Sequence, residues 1–194
     1  RRKLMKALGA KVVLSPADQK DLAFDAFFTH IVVHELMHGL GPHNLTVGGR
    51  QTTVRQQLKD MSSFMEEAKA DISGLFAIQH LIDKGVLPKT LEQSLYTTFL
   101  ASAFRSIRFG VNEAHGKGIA LQINYLLDRG AVTVGSDGTF SIVPDKIRDA
   151  VAGLTTELMN LQANGDYAAT QAFLKKMVTV RPEVQKVLDK LKDL

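Results

Sequence analysis

The sequence predicts a mainly α domain with one small β-hairpin, and three observations support that fold class. Most of the 194 residues place apolar side chains at helical spacing, in segments that glycine or proline ends. One segment, AVTVGSDGTFSIV at residues 131–143, instead joins two short β-prone runs through a turn sequence. The composition, 45% hydrophobic and 23% charged, is typical of a globular protein with its own core.

Seven helices are expected, and glycine or proline marks most of their ends. The first has its start signals near Ser15 and runs from Asp21 to about Leu40. Residues 41–54, rich in glycine and threonine, are typical of a loop. The other six helices are expected at 56–84, 91–109, 113–129, 145–163, 167–177 and 182–193. We expect residues 1–194 to form a single domain.

Charge and composition exclude several classes of protein. The net charge of +4 comes from scattered basic residues, and the cluster RRKLMK at the start is too short to indicate a nucleic-acid partner. The absence of cysteine excludes disulfides and thiolate metal sites. No apolar run reaches the roughly 18 residues of a membrane span. The sequence begins as if inside a helix, so we expect a piece of a longer protein whose targeting signals cannot be observed in it. The compartment therefore stays open, with the cytoplasm favoured.

The segment HELMH, residues 34–38, carries the strongest chemical signal. His34 and His38 are four apart, so on a helix both imidazoles point the same way and can bind one ion. Glu35 leans to the side of that axis, where it can act on water as a general base without binding the metal. This arrangement is typical of zinc hydrolases, although HExxH also occurs by chance. We therefore predict one Zn²⁺ per chain.

A zinc hydrolase needs a third protein ligand, and FMEEAKADISGLF offers one. Glu67 and Asp71 are four apart on a predicted helix, so they face the same way. We predict that Glu67 binds zinc and that Asp71 accepts the free N–H of His34 or His38. Glu66 competes with Glu67 for the ligand role, but position 70 is alanine, so it lacks a second acid one turn on.

Three further histidines are candidates for weaker roles. His115 lies near a helix start beside small residues that let a substrate approach closely, so it is a candidate catalytic residue. His30 lies one helical turn before the HELMH segment and is expected to pack or to support a ligand. His43 lies in the glycine- and proline-rich loop. If the zinc site were purely structural, His30 or His43 would be the expected fourth ligand.

Three segments matter together: HELMHGLG (34–41), EEAKADISGL (66–75) and EAHGKGIALQINYLLDRG (113–130). In this combination and order they resemble the dipeptidyl peptidase III family of zinc metallopeptidases. Two weaker stretches, residues 136–149 and 161–173, follow in the same order. The resemblance extends over about 25–175, and it implies the C-terminal part of the zinc-bearing catalytic lobe of a longer peptidase. It also implies a peptide substrate and a missing second lobe.

The resemblance also implies a role for each site residue. The metal ligands would be His34, His38 and Glu67; Glu35 would be the base; His115 would stabilise the transition state; and Asp71 would stand where the family more often has glutamate. The chain departs from the family's usual HExxxH by having one residue fewer between its histidines, which suggests a divergent branch. Removal of dipeptides from the amino terminus follows from the family alone.

Other functions remain open at this stage. The chain could be a family relative that binds zinc without catalysis, or a zinc hydrolase of a non-peptide substrate, because zinc and a base act on esters as well as amides. A helical domain without metal is a further alternative.

Overall fold

Helices form most of the chain in the computed structural model, which describes residues 2–7, 9–108 and 110–192. The α-helices of this part are α1 (Arg2–Ala7), α2 (Ala10–Val13), α3 (Phe24–His38), α4 (Val54–Leu58), α5 (Ser62–Asp83), α6 (Glu92–Ile107), α7 (Ala114–Asp128), α8 (Pro144–Asn164), α9 (Tyr167–Met177) and α10 (Pro182–Lys192). Short 3₁₀ turns lie at Asp18–Asp21, Lys59–Met61 and Lys89–Leu91. The predicted mainly α fold is confirmed.

Two antiparallel hairpins complete the described fold. Strands β3 (Val132–Val134) and β4 (Phe140–Ile142) confirm the hairpin predicted at 131–143. The prediction of a loop at 41–54 was wrong, because β1 (Asn44–Val47) pairs there with β2 (Arg50–Thr53). The reason is the turn, where Gly48 and Gly49 have φ values of 57° and 77°. Two successive positive φ values suit a tight two-residue hairpin turn.

The single helix expected at 56–84 is two helices. Helix α4 begins earlier, at Val54, because Thr53 and Gln56 form a reciprocal capping box. The chain then breaks at Lys59, whose φ of 50° lies in the left-handed region, and α5 starts at Ser62. Helix α3 likewise starts at Phe24 rather than Asp21, after a 3₁₀ turn. The expected helix ends at 109 and 193 lie outside the described residues.

Helix α5 lies at the centre of the core and positions the site. It packs against α3, α7 and α8, and Ile72, Leu75 and Ile78 are completely buried. Helix α7 approaches closely at Gly118, where a Cβ atom would lie 3.3 Å from the backbone nitrogen of Ala68. This packing sets the segment EEAKAD of α5 directly against the HELMH segment of α3. None of the described helices is long and apolar enough to cross a bilayer.

Candidate metal centre

The two histidines of HELMH lie on the face of α3 that packs against α5. His34 is buried, at 9% exposure, and His38 is half-buried. Their Nε2 atoms lie 3.1 Å apart, and the two rings are perpendicular. His38 is also the last residue of α3. The i, i+4 spacing therefore brings two imidazole nitrogens to one point, as the sequence predicted.

Glu67 of α5 reaches the same point from the opposite helix. Its Oε2 atom lies 3.5 Å from His34 Nε2 and 3.9 Å from His38 Nε2. The three ligand atoms lie within 4.8 Å of one another, a grouping that could hold a metal ion. Glu67 Oε2 is buried, and no donor in the described chain is oriented to hydrogen bond to it, although His115 Nε2 lies 3.0 Å away. A buried carboxylate oxygen without a hydrogen bond fits a position for a cation.

Asp71 orients His34, one turn further along α5. Its Oδ1 atom accepts a hydrogen bond from His34 Nδ1 over 2.7 Å, and its Oδ2 atom accepts one from Gln122 Nε2 over 3.1 Å. Because Nδ1 is engaged, the Nε2 atom of His34 is the one directed at Glu67 and His38. The sequence predicted Asp71 as the orienting acid without deciding between the two histidines, and it faces His34.

Glu66 makes a contact with His38 that the sequence analysis missed. It was considered as a rival ligand, but its Oε1 atom accepts a hydrogen bond from His38 Nδ1 over 3.0 Å. The same oxygen lies 2.7 Å from Lys69 Nζ, and Oε2 accepts a hydrogen bond from Gln162. Each histidine thus has its own carboxylate on Nδ1. A signal was present, since two predicted ligand histidines need two orienting acceptors and the EE pair supplies a second acid.

The carboxylates strongly perturb the titration of the site. Burial lowers the pKa of His34, but the hydrogen bond to Asp71 and the nearby Glu67 outweigh it and raise the pKa to about 10. Proximity to His34 holds the pKa of Glu67 below its usual value. Burial acts to raise the pKa of Asp71, yet the hydrogen bond from His34 outweighs it and lowers that pKa. The raised pKa of His34 favours the protonated ring in the metal-free chain.

The two predicted catalytic residues are exposed side chains of α3 and α7. Glu35 follows His34 on α3, and its side chain is exposed. His115 lies at the start of α7, 65% exposed, with its Nε2 atom 3.0 Å from Glu67 Oε2. Its ring lies 6.4 Å from the ring of His34, at an interplanar angle of 24°. Solvent therefore reaches both side chains.

His30 and His43 lie outside the ligand cluster of the described residues. His30 donates its Nε2–H to the backbone carbonyl of Asp71 over 2.9 Å, and its ring packs edge-on against Phe99. Burial lowers the pKa of His30, which favours the neutral ring. His43 is exposed in the irregular segment just before β1. Neither supplies the fourth ligand that a closed structural site would need.

This helical fold, with two histidines and a glutamate converging from α3 and α5, defines a lobe built around a candidate metal centre. No family model matches the chain. It is 64% identical to dipeptidyl-peptidase III from Corallococcus sp. strain EGB and 38% identical to DPP III from Caldithrix abyssi, each with a TM-score of 0.95 over 98% of this chain. The chain is thus related in sequence and fold to part of dipeptidyl-peptidase III.

The relatives are much longer than this chain. It spans 35% and 36% of the two solved structures. A curated relative, Nudix hydrolase 3 of Arabidopsis thaliana, is 46% identical over 183 residues, which are 94% of this chain but 24% of that protein. Because most of that protein lies outside the matched region, its name does not state what the matched region does.

Proposed function

We propose that this chain is the C-terminal part of the zinc-bearing lobe of a longer metallopeptidase, and that it contributes to the hydrolysis of peptide bonds. The convergence of His34 Nε2, His38 Nε2 and Glu67 Oε2 carries the proposal. The relationship to dipeptidyl-peptidase III supports it. Residues 1–194 would act as one domain, and the HExxH spacing would mark a branch of these peptidases.

The donor set suits one Zn²⁺ per chain. Zinc binds imidazole nitrogen and carboxylate oxygen, and a catalytic site keeps three protein ligands and one open position. His34, His38 and Glu67 would hold the ion, with Asp71 and Glu66 fixing the two rings. When bound, the ion would supply Lewis acidity, which lowers the pKa of water and polarises a carbonyl group.

Glu35 would serve as the general base. It lies next to the ligand His34 in sequence, and its carboxylate is exposed, so water and substrate can reach it. It would accept a proton from the attacking water at its carboxylate and then deliver that proton to the leaving amine nitrogen. A carboxylate that instead bound the metal would lose this proton-accepting capacity.

His115 would stabilise the negative charge that develops on the carbonyl oxygen. Its Nε2–H donor lies at the edge of the cluster, beside Glu67, while most of its side chain faces solvent. A donor in that position can reach a substrate oxygen at the cluster, and such donors act mainly in the transition state. The contact with Glu67 would hold the ring in place before substrate binds.

The rest of the substrate site would lie in the longer protein. Because the chain spans about a third of the solved structures that it matches, a second lobe would contact the peptide as well. Short peptides are the proposed substrate, with release of dipeptides from the amino terminus. A second candidate is a hydrolase of a non-peptide substrate, because a bound zinc ion with a general base acts on esters as well as on amides.

Glu35→Gln in the full-length protein tests the proposal. We expect the variant to keep about one zinc per chain and to lose peptide hydrolysis, because the amide cannot accept the proton. Asp25→Asn, an exposed acid in the first turn of the same helix, is the matched control and should retain both. Hydrolysis by Glu35→Gln at the wild-type rate would refute the base assignment. Turnover of esters but not peptides by the wild type would favour the second candidate.

A further inference from the structure

Lys69 of α5 is completely buried, at 0% exposure. A buried ammonium group is rare and needs partners for all three of its N–H donors. Lys69 Nζ donates to the carbonyl oxygens of Met37 and Leu40 over 2.6 and 2.7 Å, and it lies 2.7 Å from Glu66 Oε1. These three contacts match the three donors, and each partner lies beside His38.

Two of the contacts hold the end of the helix that carries His38. The last carbonyl groups of a helix lack partners within the helix, and a lysine can satisfy them while opposing the negative end of the helix dipole. Because α3 ends at His38, this ligand stands on the turn that is most prone to fray. Lys69 donates to the carbonyl group of Met37, the residue before His38, and to that of Leu40, two residues after His38.

The third contact holds the carboxylate that orients the His38 ring. Glu66 Oε1 is shared between Lys69 Nζ and His38 Nδ1. Burial acts to raise the pKa of Glu66, but the hydrogen bonds from Lys69 and His38 outweigh it and keep that pKa low. One side chain therefore contacts both the backbone around His38 and the acceptor for its ring.

We propose that Lys69 is a positioning residue for the metal centre, which fixes the backbone and the ring of His38 together so that Nε2 points at Glu67. The inference rests on the proposed zinc site. Lys69 contacts no ligand atom itself, so its effect passes through Glu66 and through the end of α3. Since His34 has its own partner in Asp71, loss of Lys69 should affect the His38 side of the site first.

Lys69→Met is the main test, with zinc affinity measured by competition against a chelator and coordination read from the visible spectrum of bound Co²⁺. Asn124→Leu is the matched control, because Asn124 also donates from a buried position to carbonyls at a helix end, those of Met177 and Thr179, away from the metal centre. We expect Lys69→Met to bind zinc at least about 10-fold more weakly and to change the Co²⁺ spectrum. Asn124→Leu should lower stability but leave both unchanged.

Glu66→Gln provides a second route if Lys69→Met does not fold. It keeps the volume of the side chain but removes the charge that Lys69 and His38 share, so it should weaken zinc binding on its own. Where Lys69→Met does fold, the double variant should weaken zinc binding by less than the product of the two single effects. Wild-type affinity in either single variant would overturn the inference while leaving the zinc site intact. Failure of the wild-type chain to bind zinc would overturn the proposed function and this inference with it.

Discussion

The hydrogen bond between Asp71 and His34 allows a quantitative test of how the site is built. The acceptor Oδ1 lies 2.7 Å from His34 Nδ1, and the Asp71 side chain is only 15% exposed. Asp71→Asn keeps the shape of the side chain but removes its charge. The asparagine has one acceptor oxygen, whereas Asp71 has two. If that oxygen accepts the hydrogen bond from His34, the NH₂ group of the asparagine faces Gln122 Nε2, and two donors then meet without an acceptor.

We expect Asp71→Asn to weaken zinc binding by about 10- to 100-fold, or about 1.4–2.7 kcal/mol, the range for loss of an orienting partner of a ligand histidine. This loss of zinc affinity relative to the wild type should depend on pH. Asp71 is a main cause of the raised pKa of His34, about 10, so a proton competes strongly with metal in the wild type. Without that charge the pKa falls and the proton competes less. The loss of zinc affinity should therefore be smaller at pH 6 and grow toward pH 9.

The assay is chelator competition for zinc at pH 6, 7.5 and 9. Asp83→Asn is the control, because it makes the same change on the same helix at an exposed position that pairs with Arg148. Its zinc affinity should equal that of the wild type at each pH. If Asp71→Asn binds zinc within about twofold of Asp83→Asn at pH 9, the orienting role of Asp71 is refuted.

Three further changes test the site and the fold. In the metal-free chain the raised pKa of His34 stabilises the folded state fully below pH 6.5 and progressively less as pH rises toward about 10. The free energy of unfolding in urea should therefore be lower at pH 9.5 than at pH 6.5. An equal decrease in His34→Gln would contradict this cause. Gly116→Ala should lower the free energy of unfolding by about 1–3 kcal/mol or more, because a Cβ there would lie 1.9 Å from the carbonyl oxygen of Gly110. An unchanged midpoint of urea unfolding would contradict that close approach. Phe104→Ala should lower the free energy of unfolding by about 3–5 kcal/mol, since the buried ring of Phe104 packs against Phe140 with 4.7 Å between ring centroids. A decrease below about 1 kcal/mol in the same assay would contradict its place in the core.

The long helices could be predicted from sequence because their periodicity is strong and glycine or proline marks their ends. The segment 41–54 could not be assigned in the same way, since four-residue strands show too little alternation to stand out. Its clearest signal was the Gly48–Gly49 pair, which suits a tight hairpin turn. The break at Lys59 had no such signal, because a positive φ at a lysine depends on tertiary packing rather than on local preference.

The site was predictable where residues share one helix and less so where two helices meet. The spacing of His34 and His38 on α3, and of Glu67 and Asp71 on α5, sets which side chains face the same way. Which acid meets which histidine depends on how α3 crosses α5, and that crossing is set by core packing. For the same reason Lys69, a residue type usually exposed, could not be recognised as buried.

Metal content is the most direct test of the central claim that His34, His38 and Glu67 form one zinc site. The wild-type chain, Glu67→Ala and Glu157→Ala, an exposed acid on α8, should be loaded with zinc, washed and measured by elemental analysis. The account predicts about one zinc per chain in the wild type and in Glu157→Ala, and almost none in Glu67→Ala. Zinc retained in Glu67→Ala at the wild-type level, or absent from the wild type after loading, would contradict it.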